Sequence, residues 1–135
     1  MANPNIVNVT SIYGNTAYVI PSSAATATTS WTYNGTTSLT GLTPAANTVN
    51  RVTSITAANT TSSAATATIA VGNNATFGSA TVVTYPAYQI SVPPNATLVI
   101  IDKTNSVYIT ENQSVAAYSG TASALTFTAT FEQIT

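Results

Sequence analysis

The chain has 135 residues and a net charge of −1, and only 4% of its side chains are charged, against about 25% in an ordinary soluble domain. It contains neither histidine nor cysteine, which excludes Ser–His and Cys–His nucleophilic pairs and any disulfide framework. Its two cations, Arg51 and Lys103, neutralise too few phosphates for a nucleic-acid binder or for a protein held on an anionic membrane.

A hydrophobic fraction of 44% in a chain of this length is enough for one core, and we predict a single domain over residues 1–135. A surface with so few charges repels copies of itself weakly and favours association. We therefore expect the protein to act by packing against neighbours and to form a homo-oligomer, with a trimer as the leading expectation.

The first predicted strand covers Ile6–Ile12, and the Gly14–Asn15 pair predicts a turn before a second strand over Thr16–Ile20. An unpaired apolar strand at a chain end invites aggregation. Residues 1–12 are therefore predicted to pair with a sheet, as an N-terminal exchange or docking strand. The segment Ser22–Ser30 is rich in Ser, Ala and Thr and is predicted to form a loop or edge segment.

The Asn34–Gly35 pair predicts a two-residue hairpin turn, because both central positions of such a turn need a positive φ. This turn would pair Tyr33 with Thr36 and would place Trp31 opposite Ser38. The two strands of the hairpin are predicted over residues 30–33 and 36–39.

The middle of the chain has the sequence pattern of strands rather than helices. Val49, Val52 and Ile55 are spaced by three, but the Thr and Ser residues around them argue against a helix, and we predict a strand here too. Ala58–Ala65 is of low complexity and is predicted to be a loop or edge segment. Thr66–Val71 then alternates between apolar and hydroxyl side chains with the period of a strand.

Two apolar strands follow in the second half of the chain. Tyr88, Ile90 and Val92 are predicted to share one face of a strand that ends at Pro93, because proline cannot donate to a ladder. The run Leu98–Ile101 is apolar on both faces, which is typical of a central strand.

The chain ends with its clearest strand pattern. Asp102–Asn105 predicts a turn into a short strand over Ser106–Thr110. In the last segment, four apolar residues alternate with threonines: Leu125, Phe127, Ala129 and Phe131 with Thr126, Thr128 and Thr130. Eight to ten short strands separated by turns predict an all-β fold, an antiparallel β-sandwich or jelly roll, with a closed barrel as the second choice.

Few residues are left to carry chemistry. A Ser–Lys dyad would need Lys103, which lies in a predicted surface turn. Paired carboxylates could come only from Asp102, Glu111 and Glu132, for which a solvated position is the favoured interpretation. A calcium site on Asp102 and Asn105 lacks a loop motif. We predict no catalytic, cofactor-binding or metal-binding residues, no cofactor, and no enzymatic activity.

The aromatic residues are the remaining candidates. Trp31 and the seven tyrosines could form a sugar-stacking platform or an interface hot spot, although core packing is expected for most of them. Trp31 and Tyr33 flank a hairpin tip, where core and contact surface are equally expected. The candidate contact surface comprises Trp31, Tyr33, Ile6, Val7 and Val9.

Two blocks of the sequence carry a family resemblance. The first is Asn5–Gly14, and the second comprises Ile90–Pro93, Ala96–Lys103 and Val107–Ile109. The chain resembles small virion structural proteins of tailed phages that infect marine bacteria, cyanophages especially. It departs from them in Asn15, where lysine is common, in Thr110–Ser114, where the group has an acidic Gly-Asp segment, and in an apparent insertion over Trp31–Pro44.

The resemblance implies a location in the virion and no catalytic residues. The first expectation is a capsid decoration or cement subunit that stabilises the particle by passive packing against itself and the major capsid protein. The alternatives are a tail, neck or head-fibre module that binds host-surface glycan through Trp31 and Tyr33, and a subunit of an extracellular filament. Copy number per particle distinguishes these three.

Overall fold

The computed structural model describes residues 8–33, 35–79 and 81–135, and these residues form ten strands and one 3-10 turn, Phe77–Ser79. The strands are β1 (Ile12–Val19), β2 (Ser30–Tyr33), β3 (Thr37–Thr40), β4 (Val49–Asn59), β5 (Ala65–Gly72), β6 (Val82–Val92), β7 (Thr97–Ile101), β8 (Val107–Ile109), β9 (Ser114–Ser119) and β10 (Leu125–Ile134). Within the described ranges no helix is long and apolar enough to cross a membrane.

The strands form two antiparallel sheets. The large sheet has the order β3-β2-β1-β10-β4-β7, with β8 also paired to β4, and the small sheet has the order β6-β5-β9. The predicted antiparallel β-sandwich is confirmed, whereas the finer assignment to a jelly roll is not. The barrel alternative is wrong, because the strands form two separate sheets rather than one closed sheet.

A continuous core lies between the inner faces of the two sheets. The large sheet contributes Phe127 and Phe131, and the small sheet contributes Ile69 and Val115, all of them almost fully buried. β10 shows the predicted alternation, since its four apolar residues are buried and the threonines between them point away from the core. Period-two patterning therefore identified this strand correctly.

The predicted turn at Gly14–Asn15 is wrong, because β1 runs through both residues without a break. Gly14 pairs with Glu132 and Asn15 pairs with Phe131 in the ladder to β10, and neither has a positive φ. Of the predicted Ile6–Ile12 strand, Ile6 and Val7 lie outside the described residues, residues 8–11 are not in a strand, and only Ile12 belongs to β1. Its described end pairs within the chain, since the Ser11 carbonyl accepts from Thr135 N–H at 3.1 Å.

The hairpin between β2 and β3 forms, but its register differs from the prediction by one residue. Tyr33 pairs with Thr37 and Trp31 pairs with Leu39, so the connection has three residues rather than two. The physical reason is the hydrophobic pattern, because a slip of one residue moves a whole set of side chains to the opposite face. The observed register places buried Trp31 beside Leu39, which packs against the core, and leaves Ser38 exposed.

The spacing of three between Val52 and Ile55 is explained by a β-bulge. The pairing of β4 with β10 skips Thr53, because Ser54 pairs with Thr130 and Val52 pairs with Phe131. The extra residue lets both Val52 and Ile55 reach the core, at 1% exposure each. The prediction of a strand here is confirmed.

The prediction that Leu98–Ile101 forms a central strand is wrong. Among the described residues β7 pairs with β4 alone, at the edge of the large sheet, and Val99 is 60% exposed. A register shift leaves Ile100 without a partner in β4, so Ile100 and Ile101 are both buried. The continuous apolar run reflects this bulge rather than burial on two faces.

Candidate functional site

Trp31 belongs to the core and not to a contact surface. Its side chain is fully buried, and its indole N–H donates to the Val115 carbonyl of β9 at 3.2 Å. A second contact between the two sheets lies beside it. The Val115 N–H donates to the Gly41 carbonyl at 2.7 Å, and the two segments approach so closely that a Cβ on Gly41 would lie 2.5 Å from the Ser114 Cβ. Trp31 and Gly41 thus join the edge hairpin of the large sheet to the small sheet. The burial of Trp31 corrects the prediction that it belongs to the contact surface.

Tyr33 and Val9, the other described residues of the predicted contact surface, do not meet Trp31 at the surface, because Trp31 is buried. Tyr33 is half-buried and lines a small cavity of about 170 Å³ with Asn50 and Phe131. Val9 is half-buried. Ile6 and Val7 lie outside the described residues, so their part of the prediction stays a prediction.

Three of the five charged residues have local partners, and these lie at two separate places. Arg51 and Glu132 are cross-strand partners at 3.4 Å. The Asp102 carboxylate accepts hydrogen bonds from the Thr104 N–H and hydroxyl, and these bonds lower the pKa of Asp102. In the described part of the chain no three acidic residues gather into a potential metal site.

The outer side of the large sheet is a surface of hydroxyl groups. Residues opposite each other in antiparallel strands share a face, so the registers place a row of six residues across the sheet and a second row beside it. The first row is Ser38, Thr32, Tyr18, Thr128, Thr56 and Val99, and the second is Thr16, Thr130 and Ser54. We call these nine residues the hydroxyl face, since all but Val99 carry a hydroxyl.

The hydroxyl face carries little charge and presents some apolar area. The Arg51–Glu132 pair lies at one end of the same side of the sheet, and its two charges compensate each other. Tyr18 is 44% exposed and Val99 is 60% exposed. Such a surface can bury both apolar atoms and hydroxyl groups against a partner, because a hydroxyl both donates and accepts hydrogen bonds.

The outer side of the small sheet has a different character, because three tyrosines surround a cleft. Tyr85 and Tyr88 of β6 contact each other edge to face, with ring centroids 4.9 Å apart. Tyr118 of β9 packs in the same manner on Phe77 at 6.4 Å. The cleft measures about 260 Å³, and we call it the tyrosine cleft. Its lining comprises Ala25, Thr66, Thr68, Tyr85, Tyr88, Gln89, Tyr118, Ser119 and Gly120.

Bulges in β6 produce the tyrosine cleft. In a regular strand residues 85 and 88 would lie on opposite faces, but the ladder to β5 shifts register on both sides of Ala87. The second shift occurs at Gln89, which has a φ of 49° and whose N–H donates to Thr68 Oγ1 at 2.8 Å. The prediction that Tyr88 shares a face with Val92 is therefore wrong, because Tyr88 is 57% exposed whereas Val92 is fully buried.

The floor of the cleft is close-packed. Gly120 lies against Thr66, and a Cβ at this position would collide with the Thr66 hydroxyl. Burial, and to a lesser extent the nearby phenol of Tyr85, raise the pKa of Tyr118. At neutral pH the cleft is thus uncharged, and its groups are phenols, hydroxyls and one amide.

The sequence placed these tyrosines among several aromatic candidates but did not single them out. Tyr85 and Tyr88 are three residues apart on either side of Pro86 and Ala87, and a proline within a strand is a signal for an edge or a bulge. That signal was available, whereas the contribution of Tyr118 depends on a pairing between distant strands.

Comparisons with known proteins identify no relative. A scan against protein-family models finds none that matches the chain, and searches of the curated proteins and of the solved structures find no match either.

Proposed function

We propose that this protein is a phage virion structural subunit that decorates and cements the capsid. The observation that carries the proposal is the hydroxyl face, a broad, nearly uncharged sheet surface suited to packing against other subunits. The family resemblance in Asn5–Gly14 and in the second half of the chain provides the link to a virion. The role is passive, since the subunit adds buried area across the joints between capsid proteins.

The outer side of the large sheet, and not the hydroxyl face alone, reaches the size that this role needs. Six strands spaced by about 4.8 Å and a rise of about 3.4 Å per residue along β10 limit this side to roughly 24 Å by 34 Å. That limit is on the order of the ~800 Å² that each partner contributes to a standard stable interface, whereas the two rows of the hydroxyl face lie two residues apart along β10. We therefore expect a stable contact to use the residues around the hydroxyl face as well.

The chemistry of the face favours packing over electrostatic docking. Hydroxyl groups are costly to bury without a hydrogen-bond partner, but threonine hydroxyls can rotate to match donors or acceptors on the opposing surface. With a single compensated ion pair on this side of the sheet, assembly has few ion pairs for salt to screen. We therefore expect the bound subunit to remain on particles from low to molar salt, and release that rises steeply with salt would contradict this mechanism.

The main experiment is to count the protein in purified virions. Quantitative mass spectrometry against the major capsid protein is expected to give hundreds of copies, at a simple ratio to the capsid subunit. A count of a few to a few dozen would favour the tail, neck or head-fibre alternative. Absence from the particle would overturn the virion proposal and leave the extracellular filament as the remaining alternative.

The mode of attachment has its own experiment. Capsids that lack the protein are incubated with purified subunit carrying Thr128→Lys at the centre of the hydroxyl face, or Ser62→Lys in an exposed loop as the matched control. We expect the first variant to lose binding and the second to retain it, with both variants folded by circular dichroism. Equal binding by both would show that the hydroxyl face is not the docking surface. Solution mass measurement of the same samples tests the expected trimer.

A further inference from the structure

We propose that the tyrosine cleft is a binding site for a single ring of a neutral saccharide. This inference is independent of the proposed capsid role, since the cleft lies on the outer side of the other sheet. It also differs from a glycan site on Trp31 and Tyr33, because Trp31 is buried in the core.

The size of the cleft selects one sugar ring. Its volume of about 260 Å³ is below the ~300 Å³ at which sites for drug-sized ligands begin. The cleft is therefore too small for a folded peptide segment or an oligosaccharide, whereas a terminal or branching hexose can enter while the rest of the glycan stays in solvent.

The tyrosines provide the apolar part of the recognition. Tyr85 and Tyr88 are 47% and 57% exposed, yet each ring has an edge-to-face contact with the other. A sugar ring has an apolar side of C–H groups that packs on aromatic faces, and tyrosine offers a rigid apolar body with a polar tip. Because tyrosine has few rotatable bonds, ordering these rings on binding costs little entropy.

The remaining lining provides the polar part. Thr68 Oγ1 accepts the Gln89 N–H at 2.8 Å, which leaves the Thr68 hydroxyl proton able to donate to a ligand. Thr66 adds a second hydroxyl, and the exposed side chain of Gln89 adds an amide at the rim. Saccharide hydroxyls both donate and accept, so they match a lining of this composition.

The charge of the cleft decides between ligand classes. Its lining contains no Asp, Glu, Lys or Arg, so it has no group to neutralise a phosphate, a sulfate or a carboxylate. A nucleotide or an acidic sugar would lose its hydration without compensation. A neutral hexose or N-acetylhexosamine is the ligand that the described residues match.

The experiment uses the full 135-residue chain and a panel of methyl glycosides of glucose, galactose, mannose and N-acetylglucosamine, with glucuronate as the charged comparator. Saturation-transfer NMR is expected to detect at least one neutral glycoside, with transfer strongest on the C–H groups of one ring face. Absence of transfer from every neutral glycoside overturns the proposal, and so does tighter binding of glucuronate.

Variants place the binding in the cleft. Tyr88→Ala is expected to weaken glycoside binding by about tenfold, as loss of an aromatic contact does. Tyr118→Phe removes a phenol hydroxyl from the same site with little change in packing. The matched control is Tyr13→Ala, since Tyr13 is 61% exposed and lies on β1 of the large sheet. If Tyr13→Ala weakens binding as much as Tyr88→Ala, or if Tyr88→Ala alters only subunit assembly, the saccharide site is refuted.

Discussion

The two outer sides of the sandwich are made from the same few residue types, yet they have opposite shapes. On the large sheet the ladders place Tyr18, Thr128 and Thr56 opposite one another, and the result is a broad face of short side chains. On the small sheet the bulges in β6 bring Tyr85 and Tyr88 to one side and open a cleft. Regular pairing produces a packing surface, whereas interrupted pairing produces a pocket, as is common for bulges near functional sites.

The largest expected effect comes from removing the core that supports both sides. Trp31→Ala deletes a fully buried indole and its hydrogen bond to Val115, and we expect it to lower the free energy of unfolding by about 3–5 kcal/mol. Tyr108→Ala is the control, because Tyr108 is 54% exposed. Chemical denaturation measures both. A loss below about 1 kcal/mol for Trp31→Ala would show that the hairpin is not anchored through its indole.

The second prediction separates the two sides by reciprocal variants. Thr128→Lys is expected to weaken capsid binding by more than about tenfold, since it buries an unpaired charge, and to leave glycoside binding unchanged. Tyr88→Ala is expected to do the reverse. Both binding measurements are made on both variants. If either variant impairs both capsid binding and glycoside binding while the protein remains folded, the two surfaces do not act independently.

The third prediction concerns the strained residue at the rim of the cleft. Gln89 has a φ of 49°, a conformation that costs a residue with a side chain on the order of 1 kcal/mol and that glycine adopts freely. Gln89→Gly is therefore expected to raise the free energy of unfolding by about 1 kcal/mol. It is also expected to weaken glycoside binding, because the side-chain amide is lost. Urea denaturation and glycoside titration test this. A destabilised variant would contradict the assignment of strain.

The smallest effect is a pH dependence that originates in the cleft. The pKa of Tyr118 is raised in the folded protein, chiefly by burial, whereas in the unfolded chain tyrosine ionises near pH ~10. Above that pH the unfolded chain has lost a proton that the folded protein retains, so stability falls as pH rises through this range. Tyr118→Phe is expected to reduce this decline, and Tyr13→Phe serves as the comparison. Identical pH profiles for Tyr118→Phe and the unmodified protein would contradict the prediction.

The sequence by itself determined the fold class and several strands. The alternation from Leu125 to Phe131 identified β10 because a half-buried strand imposes a period of two on any sequence that forms it. Pro93 marked the end of β6, because proline lacks the backbone N–H that a strand ladder needs, and this property does not depend on the rest of the fold. The exclusion of nucleophilic catalysis by Ser–His and Cys–His pairs was equally local, since it needed only the residue inventory.

Only the tertiary structure decided which residues share a surface. The continuous β1 through Gly14–Asn15 depends on the partner residues that β10 offers, and the edge position of β7 depends on the order of strands in the sheet. The cleft depends on bulges in β6 and on Tyr118, about thirty residues away along the chain. These features follow from pairing between distant segments, where one inserted residue reverses which side chains face the core. A local sequence pattern does not determine which segments pair or where the extra residue lies.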